Sequence, residues 1–427
     1  MENLAAYRTD TTSCSRGKSH VAEFKQNCHL SSFKVRKTPL MRFSNQACEA
    51  KDSLIRQMAG YAEEVKNPYK LYFGESDMVT PAFICRAAFD SMQEGHTFYT
   101  PTAGYDDLRE AIAEKVFQVH NAKYKPSEIV CAAGGVNAIF LTIRSLLDPG
   151  DNVVIVEPTW PVFASIVTLM GGQPRNVPLS EEICGFSLDL DRIRNAIDSK
   201  TRMIIINSPG NPTGWVISRK EQEALWEIAV ENDIVILSDE VYERIIFNSS
   251  VAPSFASIAT DHDHVVVINS FSKTYNMTGW RLGYALASEE LVTLISKVEE
   301  FVVSNPPAMA QRAGLVALRD GEPYIEEIRT KYAKRRKLTV KKLNAIPQVH
   351  LPEPVGGFYA FPKLEGLRDS YSFAKRLLLE AGVGMAPGIA FGQSGEGYMR
   401  ICFAASEDTL NPALEHFQQF VERHLCD

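Results

Sequence analysis

Lys273 is the residue of this sequence with the clearest capacity for chemistry. It stands in a hydroxyl-rich turn, SFSKTYNMTGWRLGY at 270–284, directly after a β-branched run. Most lysines lie on solvated surfaces. A lysine that is instead removed from water has a lowered pKa and can form an imine with an aldehyde. The role of Lys273 therefore depends on the elements that position it and on the side chains around it.

The elements before Lys273 predict a buried sheet. Helical patterns such as 218–232 separate β-branched runs at 152–158, 202–209, 233–240 and 264–270. Apolar runs without alternation indicate strands covered on both faces, and the intervening helices indicate a mostly parallel α/β sheet. Each run ends in polar or turn-forming residues. Because ligands of such sheets bind beyond the carboxyl ends of the strands, these ends and Lys273 are predicted to form one site.

Pyridoxal phosphate is the aldehyde cofactor that requires such a lysine, and it stabilises a carbanion at the Cα of an amino acid. Its ring nitrogen needs a buried carboxylate to stay protonated, and Asp239 fits, although Asp is also a common helix N-cap. Tyr242 and Asn211 can donate to the phenolic oxygen, although SPGNPTG around Asn211 is also typical of a plain turn. Trp160 can stack on the ring, although a buried tryptophan more often belongs to a core.

The phosphate of this cofactor needs backbone N–H groups, hydroxyls and a cation. Gly134 and Gly135, in AAGGVNAIF, open an apolar helical pattern, and a helix N-terminus of this kind binds anions. Ser270 and Arg281 flank Lys273 and can complete the anion site. A glycine pair before a helix is more often a packing feature, so this interpretation depends on the rest of the site.

Arg400 is a charged residue in the otherwise apolar run GYMRICFA. A buried arginine can bind a carboxylate through two parallel hydrogen bonds, which suits the α-carboxylate of an amino-acid substrate. A structural ion pair is the alternative explanation.

The chain resembles the class I/II aminotransferases, which are fold-type I pyridoxal-phosphate enzymes, over about residues 60–425. The motifs that carry the resemblance occur in the family's order: YTPTAGYDDLREAI, EPTWP, NSPGNPTG, SDEVY, SFSKTYNMTGWRLGY and YMRICFA. The resemblance implies a pyridoxal-phosphate-dependent aminotransferase, EC 2.6.1.-, that moves an amino group from an L-amino acid to a 2-oxo acid. We expect a large cofactor-binding α/β domain at 86–319. The change to long helices and short strands after residue 320 predicts a smaller α+β domain of residues 51–85 and 320–427.

The resemblance also implies a role for each of these positions. Lys273 would bind the cofactor and move the proton, and Arg400, Asn211 and Gly74 would bind the substrate. Tyr99 resembles a tyrosine that reaches the phosphate from the neighbouring subunit, which implies a homodimer with shared active sites. The other cofactor contacts would be Asp239 at the ring nitrogen, Asn211 and Tyr242 at the phenolic oxygen, Trp160 on the ring, and Gly134, Gly135, Val136, Ser270 and Arg281 at the phosphate.

Composition narrows the class of protein. The formal net charge of the 427 residues is −7 without a long basic run, which argues against nucleic acid as the main partner. No apolar run approaches the roughly 20 residues of a membrane helix, and the N-terminus lacks the apolar segment of a secretory signal. Eight cysteines without metal-site spacing predict free thiols in the cytoplasm and no metal site. Residues 1–50 are polar and basic, which predicts an extended or partly disordered arm.

Two positions bear on the identity of the amino donor. Aspartate-specific members of the family commonly carry Thr or Lys after the glycine pair, whereas this chain has Val136, which offers only its backbone N–H. One aspartate-using branch has an arginine four residues before a YSNPP-like turn, and this chain has Glu300 at that place. A carboxylate there would repel a second substrate carboxylate. The predicted donor is therefore a neutral, aromatic or cationic amino acid.

The residues named above do not separate amino-group transfer from other outcomes on the same scaffold. Lyases, γ-substituting enzymes and oxidases use the same cofactor pocket. A non-enzymatic regulator with this fold would carry a DNA-binding helix-turn-helix, and the first 50 residues have no paired helical pattern or basic recognition helix. Amino-group transfer is the leading hypothesis.

Overall fold

The β-branched runs form strands close to their predicted bounds. The structure is a computed structural model that describes residues 43–427 except 184, 260–261 and 426–427. The strands are β1 (Tyr69–Lys70), β2 (Ile129–Ala132), β3 (Asn152–Glu157), β4 (Gln173–Pro178), β5 (Ser180–Glu182), β6 (Gly185–Ser187), β7 (Thr201–Asn207), β8 (Val235–Asp239), β9 (Val265–Ser270), β10 (Gly283–Leu286), β11 (Val349–His350), β12 (Tyr359–Ala360), β13 (Lys363–Leu364), β14 (Val383–Gly384), β15 (Ala386–Pro387) and β16 (Met399–Cys402).

The helices fill the stretches between these strands. They are α1 (Asn45–Glu49), α2 (Leu54–Tyr61), α3 (Ala82–Gln93), α4 (Asp106–His120), α5 (Gly135–Leu146), α6 (Val162–Leu169), α7 (Leu190–Ala196), α8 (Arg219–Glu231), α9 (Phe271–Thr274), α10 (Glu289–Glu300), α11 (Ala308–Asp320), α12 (Glu322–Leu343), α13 (Ser370–Ala381) and α14 (Glu407–His424). Local signals set their starts. At α8, for example, the Ser218 hydroxyl accepts from Glu221 N–H, and the Glu221 carboxylate accepts from Ser218 N–H.

A mostly parallel sheet forms the centre of the molecule. Within the described residues, β2, β10, β9, β8, β7, β3 and β4 lie side by side in this order. β10 is antiparallel to both of its neighbours, and the other neighbouring strands are parallel. The predicted α/β architecture is therefore confirmed. Because β3, β7, β8 and β9 run in the same direction, the residues that follow them meet at one edge.

The central strands are apolar along their length because both faces of the sheet are covered. Side chains alternate between the faces, so Val154 and Val156 of β3 belong to one core, while Val153 and Ile155 belong to the other. Helices α4 and α8 contribute to the first core, and α5 and α6 contribute to the second. Each fully buried Val or Ile side chain stabilises the fold by about 1.5–3 kcal/mol. The sheet is therefore a rigid support for the side chains at its edge.

A third core joins segments that are distant in the chain. Ile55 and Met58 of α2 pack with buried residues of α12, α13, α14, β12 and β16. Tyr242 and Ile245, which follow β8, belong to the same core. Tyr242, at the edge of the central sheet, is thus part of the same core as β12 and β16.

The predicted division into an arm and two domains stays a prediction. The third core draws mainly on the two segments assigned to the smaller domain, 51–85 and 320–427. Most of the predicted arm, residues 1–42, lies outside the described residues. Near the end of that arm, Asn45–Glu49 form helix α1.

The described part of the chain contains neither a helix suited to cross a membrane nor a cluster of metal ligands. None of its helices combines the length and apolar character that a membrane crossing requires. In the same residues, no three His, Cys, Asp or Glu side chains are grouped as ligands for a metal ion.

Gly283 is expected to be intolerant of any side chain. A Cβ at this position would lie 2.7 Å from Gly135 N, 2.8 Å from Gly134 C and 2.9 Å from Asn269 O. These are backbone atoms of the turn before α5 and of β9, so they cannot rotate away. Overpacking costs about 1–3 kcal/mol, and we expect Gly283→Ala to lower the melting temperature by several degrees in a thermal-denaturation assay.

Gly60→Ala is the matched control for this substitution. Gly60 lies inside α2, where a new Cβ meets nothing within 4 Å. Alanine favours a helix over glycine, so this variant should melt at or slightly above the temperature of the original protein. Equal melting temperatures for the two variants would contradict the close approach at Gly283.

Candidate active site

A cavity of about 1000 Å³ opens at the edge of the sheet where β3, β7, β8 and β9 end. Its wall combines the ends of these strands, the start of α5, residues 49–57 before and within α2, and residues 389–393. The cavity brings together most of the predicted site residues: Gly74, Gly135, Val136, Trp160, Asn211, Asp239, Tyr242, Ser270, Lys273, Arg281 and Arg400.

Lys273 lies in the short helix α9, which the Ser270 hydroxyl caps by accepting from Ser272 N–H. Its ammonium Nζ donates a hydrogen bond of 2.6 Å to the Gly74 carbonyl oxygen. Burial lowers the pKa of Lys273 to about 8. Near neutral pH a much larger fraction of this amine than of an ordinary lysine is therefore unprotonated, and the unprotonated form attacks an aldehyde and accepts a proton.

Asp239 ends β8 and is 3% exposed. Burial raises the pKa of its carboxyl to about 7, although the Val241 N–H donates to Oδ1 at 3.3 Å and the positive charge of Lys273 acts in the opposite direction. A cationic group placed against this carboxylate would favour its charged form. Asp239 can therefore hold a protonated nitrogen inside the cavity.

Asn207 connects Asp239 to Asn211, a role that the sequence did not predict beyond placing Asn207 at a polar strand end. It ends β7, its amide donates to the Asp239 carbonyl oxygen at 3.0 Å, and its Oδ1 accepts from Asn211 N–H at 2.7 Å. The signal was present in the sequence, because the run that ends in NSPGNPTG places a polar residue at the end of a buried strand. Asn207 fixes the turn that carries Asn211.

Arg400 is a buried guanidinium on β16, 2% exposed. Its Nη1 donates to Asn211 Oδ1 at 2.9 Å, its Nη2 donates to the Tyr72 carbonyl oxygen, and its Nε is buried without a partner among the described residues. Within that part of the chain, Arg400 forms no ion pair with a carboxylate. The alternative of a structural ion pair therefore has no support, and the buried charge is suited to a carboxylate from a ligand.

The hydroxyl groups of Tyr242 and Tyr359 form a hydrogen bond of 2.6 Å, and both side chains are buried. A Cβ at Gly74 would lie 2.0 Å from the Tyr359 hydroxyl oxygen, which explains why position 74 is a glycine. Tyr359 was not predicted as a site residue. Its only signal in the sequence was its place in GGFYAFP, a short predicted strand of the same region as Arg400.

The residues at the start of α5, with Ser270 and Arg281, have the features of an anion site. Gly134 has a positive φ of 94°, and a Cβ there would lie 2.2 Å from Arg281 Nη2. Gly135 begins the 12-residue helix α5, whose first N–H groups have no acceptor within the helix. Ser270 lines the same cavity, and Arg281 Nη1 donates to the Thr278 carbonyl oxygen at 2.7 Å. A helix N-terminus, a hydroxyl and a guanidinium together suit a phosphate.

The remaining predicted positions differ in their placement. Trp160 follows β3, lines the cavity and packs edge-on against Phe163, with 5.9 Å between ring centroids. Val136 also lines the cavity and is 38% exposed. Tyr99 is 89% exposed and lies outside the lining of this chain's cavity. Glu300, the exposed last residue of α10, also lies outside it.

Comparison with known proteins decides the family. The family model described as aminotransferase class I and II matches residues 69–417. The chain belongs to this family. It is a pyridoxal-phosphate-dependent aminotransferase with the fold-type I architecture.

The relatives of this aminotransferase are named for different amino-acid substrates. An aspartate aminotransferase of Pyrococcus horikoshii is 36% identical over 87% of this chain and 95% of that protein. The aromatic-amino-acid aminotransferase 2 of Thermococcus litoralis is 36% identical over 90% of this chain and 99% of that protein. The structure of the Thermus thermophilus aspartate aminotransferase with maleate superposes with a TM-score of 0.84 at 33% identity, covering 89% of this chain and all of that one.

Proposed function

We propose that Lys273 is the catalytic residue of this aminotransferase and that the groups around it divide into a cofactor set and a substrate set. The observation that carries the proposal is that Lys273, Asp239, Asn211 and Arg400 all open into one cavity. Lys273 supplies an amine with a lowered pKa, Asp239 supplies a buried carboxylate, and Arg400 supplies a buried cation without a carboxylate partner in the described residues. These are the demands of pyridoxal phosphate and of an amino-acid substrate.

The residues present fit pyridoxal phosphate. Asp239 would pair with the ring nitrogen, and the buried carboxyl would then be ionised. Tyr242 and Asn211 would donate to the phenolic oxygen, and Trp160 would cover the ring. The phosphate would lie at the start of α5. Backbone N–H groups of Gly134, Gly135 and Val136 and the side chains of Ser270 and Arg281 would hold it.

Four residues of this chain bind the substrate and move its proton. When bound, pyridoxal phosphate withdraws the electron pair that remains at Cα after that carbon loses its proton. Arg400, held by Asn211, binds the α-carboxylate and so fixes the direction of the Cα–H bond. Gly74 leaves room beside this carboxylate. The Lys273 amine, once free, accepts the Cα proton and returns it as the amino group moves.

A homodimer with shared active sites is part of the proposal. Tyr99 and its neighbour Phe98 are 89% and 80% exposed. Large exposed apolar side chains in one region are typical of an interface. In such a dimer, Tyr99 of each subunit would reach the phosphate bound by the other.

We further propose that the amino donor is not a dicarboxylic acid. Val136 supports this choice because it lines the cavity next to the glycine pair and has neither charge nor hydroxyl. The argument from Glu300 is weaker, since that residue lies outside the lining of this chain's cavity.

A panel of amino donors tests both the reaction and the preference. Purified protein with pyridoxal phosphate is given neutral, aromatic, basic and dicarboxylic L-amino acids against pyruvate and 2-oxoglutarate, and keto-acid formation is followed. We expect acceptor-dependent keto acid from neutral, aromatic or basic donors. Product that forms without any acceptor would instead support the lyase or substitution alternatives, and aspartate as much the fastest donor would contradict the preference.

Val136→Lys is expected to shift this panel toward dicarboxylic donors. A lysine here can form a charge-assisted hydrogen bond with a distal carboxylate, which is worth about 1.5–3 kcal/mol. The ratio of kcat/KM for aspartate to that for a neutral donor should therefore rise about 10- to 100-fold. Val136→Leu, which adds volume without charge, is the control and should leave the ratio near its original value.

A further inference from the structure

Tyr359 lies at the point where several of the proposed catalytic and binding residues meet. It is fully buried on β12, and its hydroxyl is 2.6 Å from that of Tyr242. The same hydroxyl fills the space that a side chain at Gly74 would need, and the Gly74 carbonyl accepts from Lys273. Its ring lies under Arg400, with 4.7 Å from the guanidinium carbon to the ring centroid.

We propose that Tyr359 is a positioning residue that acts through two others: its hydroxyl orients Tyr242, and its ring orients Arg400. The inference rests on the proposed roles of Tyr242 at the cofactor's phenolic oxygen and of Arg400 at the substrate carboxylate. Nothing in the sequence motifs assigns a role to Tyr359.

The direction of the hydrogen bond between the two phenols follows from their surroundings. At 2.6 Å one hydroxyl donates and the other accepts. A cation over a phenol makes its O–H a better donor. Arg400 lies 4.7 Å from the ring centroid of Tyr359, whereas Lys273 lies 5.9 Å from that of Tyr242, so the stronger effect is on Tyr359. Tyr359 therefore donates to Tyr242, and Tyr242 keeps its own hydrogen for an acceptor in the cavity. A hydroxyl that accepts one hydrogen bond also donates a stronger one.

The ring of Tyr359 also fixes the plane of the guanidinium. Arg400 is held between Tyr359 and Phe391, with 4.7 Å from its central carbon to each ring centroid. Its hydrogen bond to Asn211 sets the rotation within that plane. Because two parallel hydrogen bonds to a carboxylate demand a defined plane, loss of the ring should weaken carboxylate binding even though the charge remains.

Two substitutions separate the hydroxyl from the ring. Tyr359→Phe removes only the hydroxyl, and Tyr359→Leu removes both groups. The first measurement is the pH titration of the violet absorbance of the protein loaded with pyridoxal phosphate. The second is the KM for the best amino donor. Charged and titratable groups that face Tyr359 are Arg400, Asp239, Cys402 and Tyr242, and all of them are unchanged in both variants.

We expect Tyr359→Phe to move the titration midpoint upward by about 0.5 to 1 pH unit, because a weaker hydrogen bond from Tyr242 leaves more electron density on the phenolic oxygen. KM should stay within about twofold, since the ring is kept. Tyr359→Leu should show the same upward shift of the midpoint as Tyr359→Phe, together with a KM raised about tenfold. In a Tyr242→Phe background, Tyr359→Phe should cause no further shift of the midpoint.

Tyr398→Phe is the matched control. Tyr398 is also a buried tyrosine, and it stacks on Phe361 with ring centroids 4.6 Å apart. Its hydroxyl pairs with Glu181 rather than with Tyr242 or Arg400. This variant should leave midpoint and KM unchanged. An unchanged midpoint in Tyr359→Phe, or an equal shift in Tyr398→Phe, would overturn the inference. If the original protein itself shows no violet band with the cofactor, the proposed function fails instead.

Discussion

Lys273→Ala is expected to reduce amino-group transfer by about 10⁴-fold or more. In the proposed mechanism, the substitution removes both the amine that binds the cofactor covalently and the base that moves the Cα proton. Among the described residues, Lys51 is the only other lysine that lines this cavity. Lys51 belongs to the segment before α2 rather than to the sheet edge. Keto-acid formation by the loaded protein is the measurement. Borohydride reduction followed by peptide mass analysis should find a pyridoxyl adduct at Lys273 in the original protein.

The control for this substitution is a lysine without a place in the cavity. Lys331 lies on α12, where it pairs with Glu327 one helical turn away at 2.6 Å, and its alanine variant should keep full activity. Lys273→Arg is also informative, because it keeps the positive charge but cannot form an imine at neutral pH. If Lys273→Arg retained activity, the charge rather than the covalent bond would be the function of this position.

Because the pKa of Lys273 is lowered, the rate at which Lys273 forms an adduct with the cofactor is expected to depend on pH. Only the unprotonated amine attacks an aldehyde, and its fraction grows as the pH rises through the pKa. With a pKa of about 8 instead of 10.5, the rate of adduct formation in cofactor-free protein should rise with pH up to about 8 and then level off. A rate that still increases steeply above pH 9 would show that Lys273 is not desolvated in solution.

The central sheet and the residues at its edge could be predicted from the sequence because their signals are local. A β-branched run followed directly by a polar residue predicted a site position for Asp239 and placed Lys273 just past a strand end, and the short motifs around Asn211 and Arg281 fit the same pattern. These residues lie within a few positions of a buried strand. Their meeting point then follows from the rule that parallel strands end at one edge.

Tyr359 could not be predicted in the same way because its role depends on contacts that are distant in sequence. Its position follows from the antiparallel pairing of β12 with β16, which places Tyr359 opposite Cys402, and from a hydroxyl contact with Tyr242 across 117 positions. The glycine at position 74 has its physical reason in the same hydroxyl. The motif that suggested a role for Glu300 was local, but the structure places that side chain in solvent at the end of α10.

Asp239→Asn is expected to lower kcat by about 10²- to 10³-fold, the cost of removing one preorganised electrostatic group. The amide has the same shape, and its Oδ1 can still accept from the Val241 N–H. It has no negative charge, so it cannot keep a ring nitrogen protonated. KM should change little, because Arg400 and Asn211, which are proposed to bind the carboxylate, are left intact. Steady-state kinetics with the best donor from the panel measures both constants.

Stability gives the control for Asp239→Asn. Burial raises the pKa of this carboxyl from 3.8 to about 7, so the folded state disfavours the charged form. In cofactor-free protein, Asp239 therefore costs stability above pH 3.8, and this cost grows until about pH 7 and is constant above it. The asparagine variant should melt at a higher temperature than the original protein at pH 8, and the difference should shrink as the pH falls toward 4.

A variant that is more stable and yet slower is the expected combination, because the carboxylate proposed for catalysis is destabilised by burial when the cofactor is absent. A loss of activity together with a lower melting temperature at pH 8 would mean that Asp239 supports the fold instead. An unchanged kcat would show that the ring nitrogen takes its proton from elsewhere, and the cofactor orientation proposed for this cavity would then be wrong.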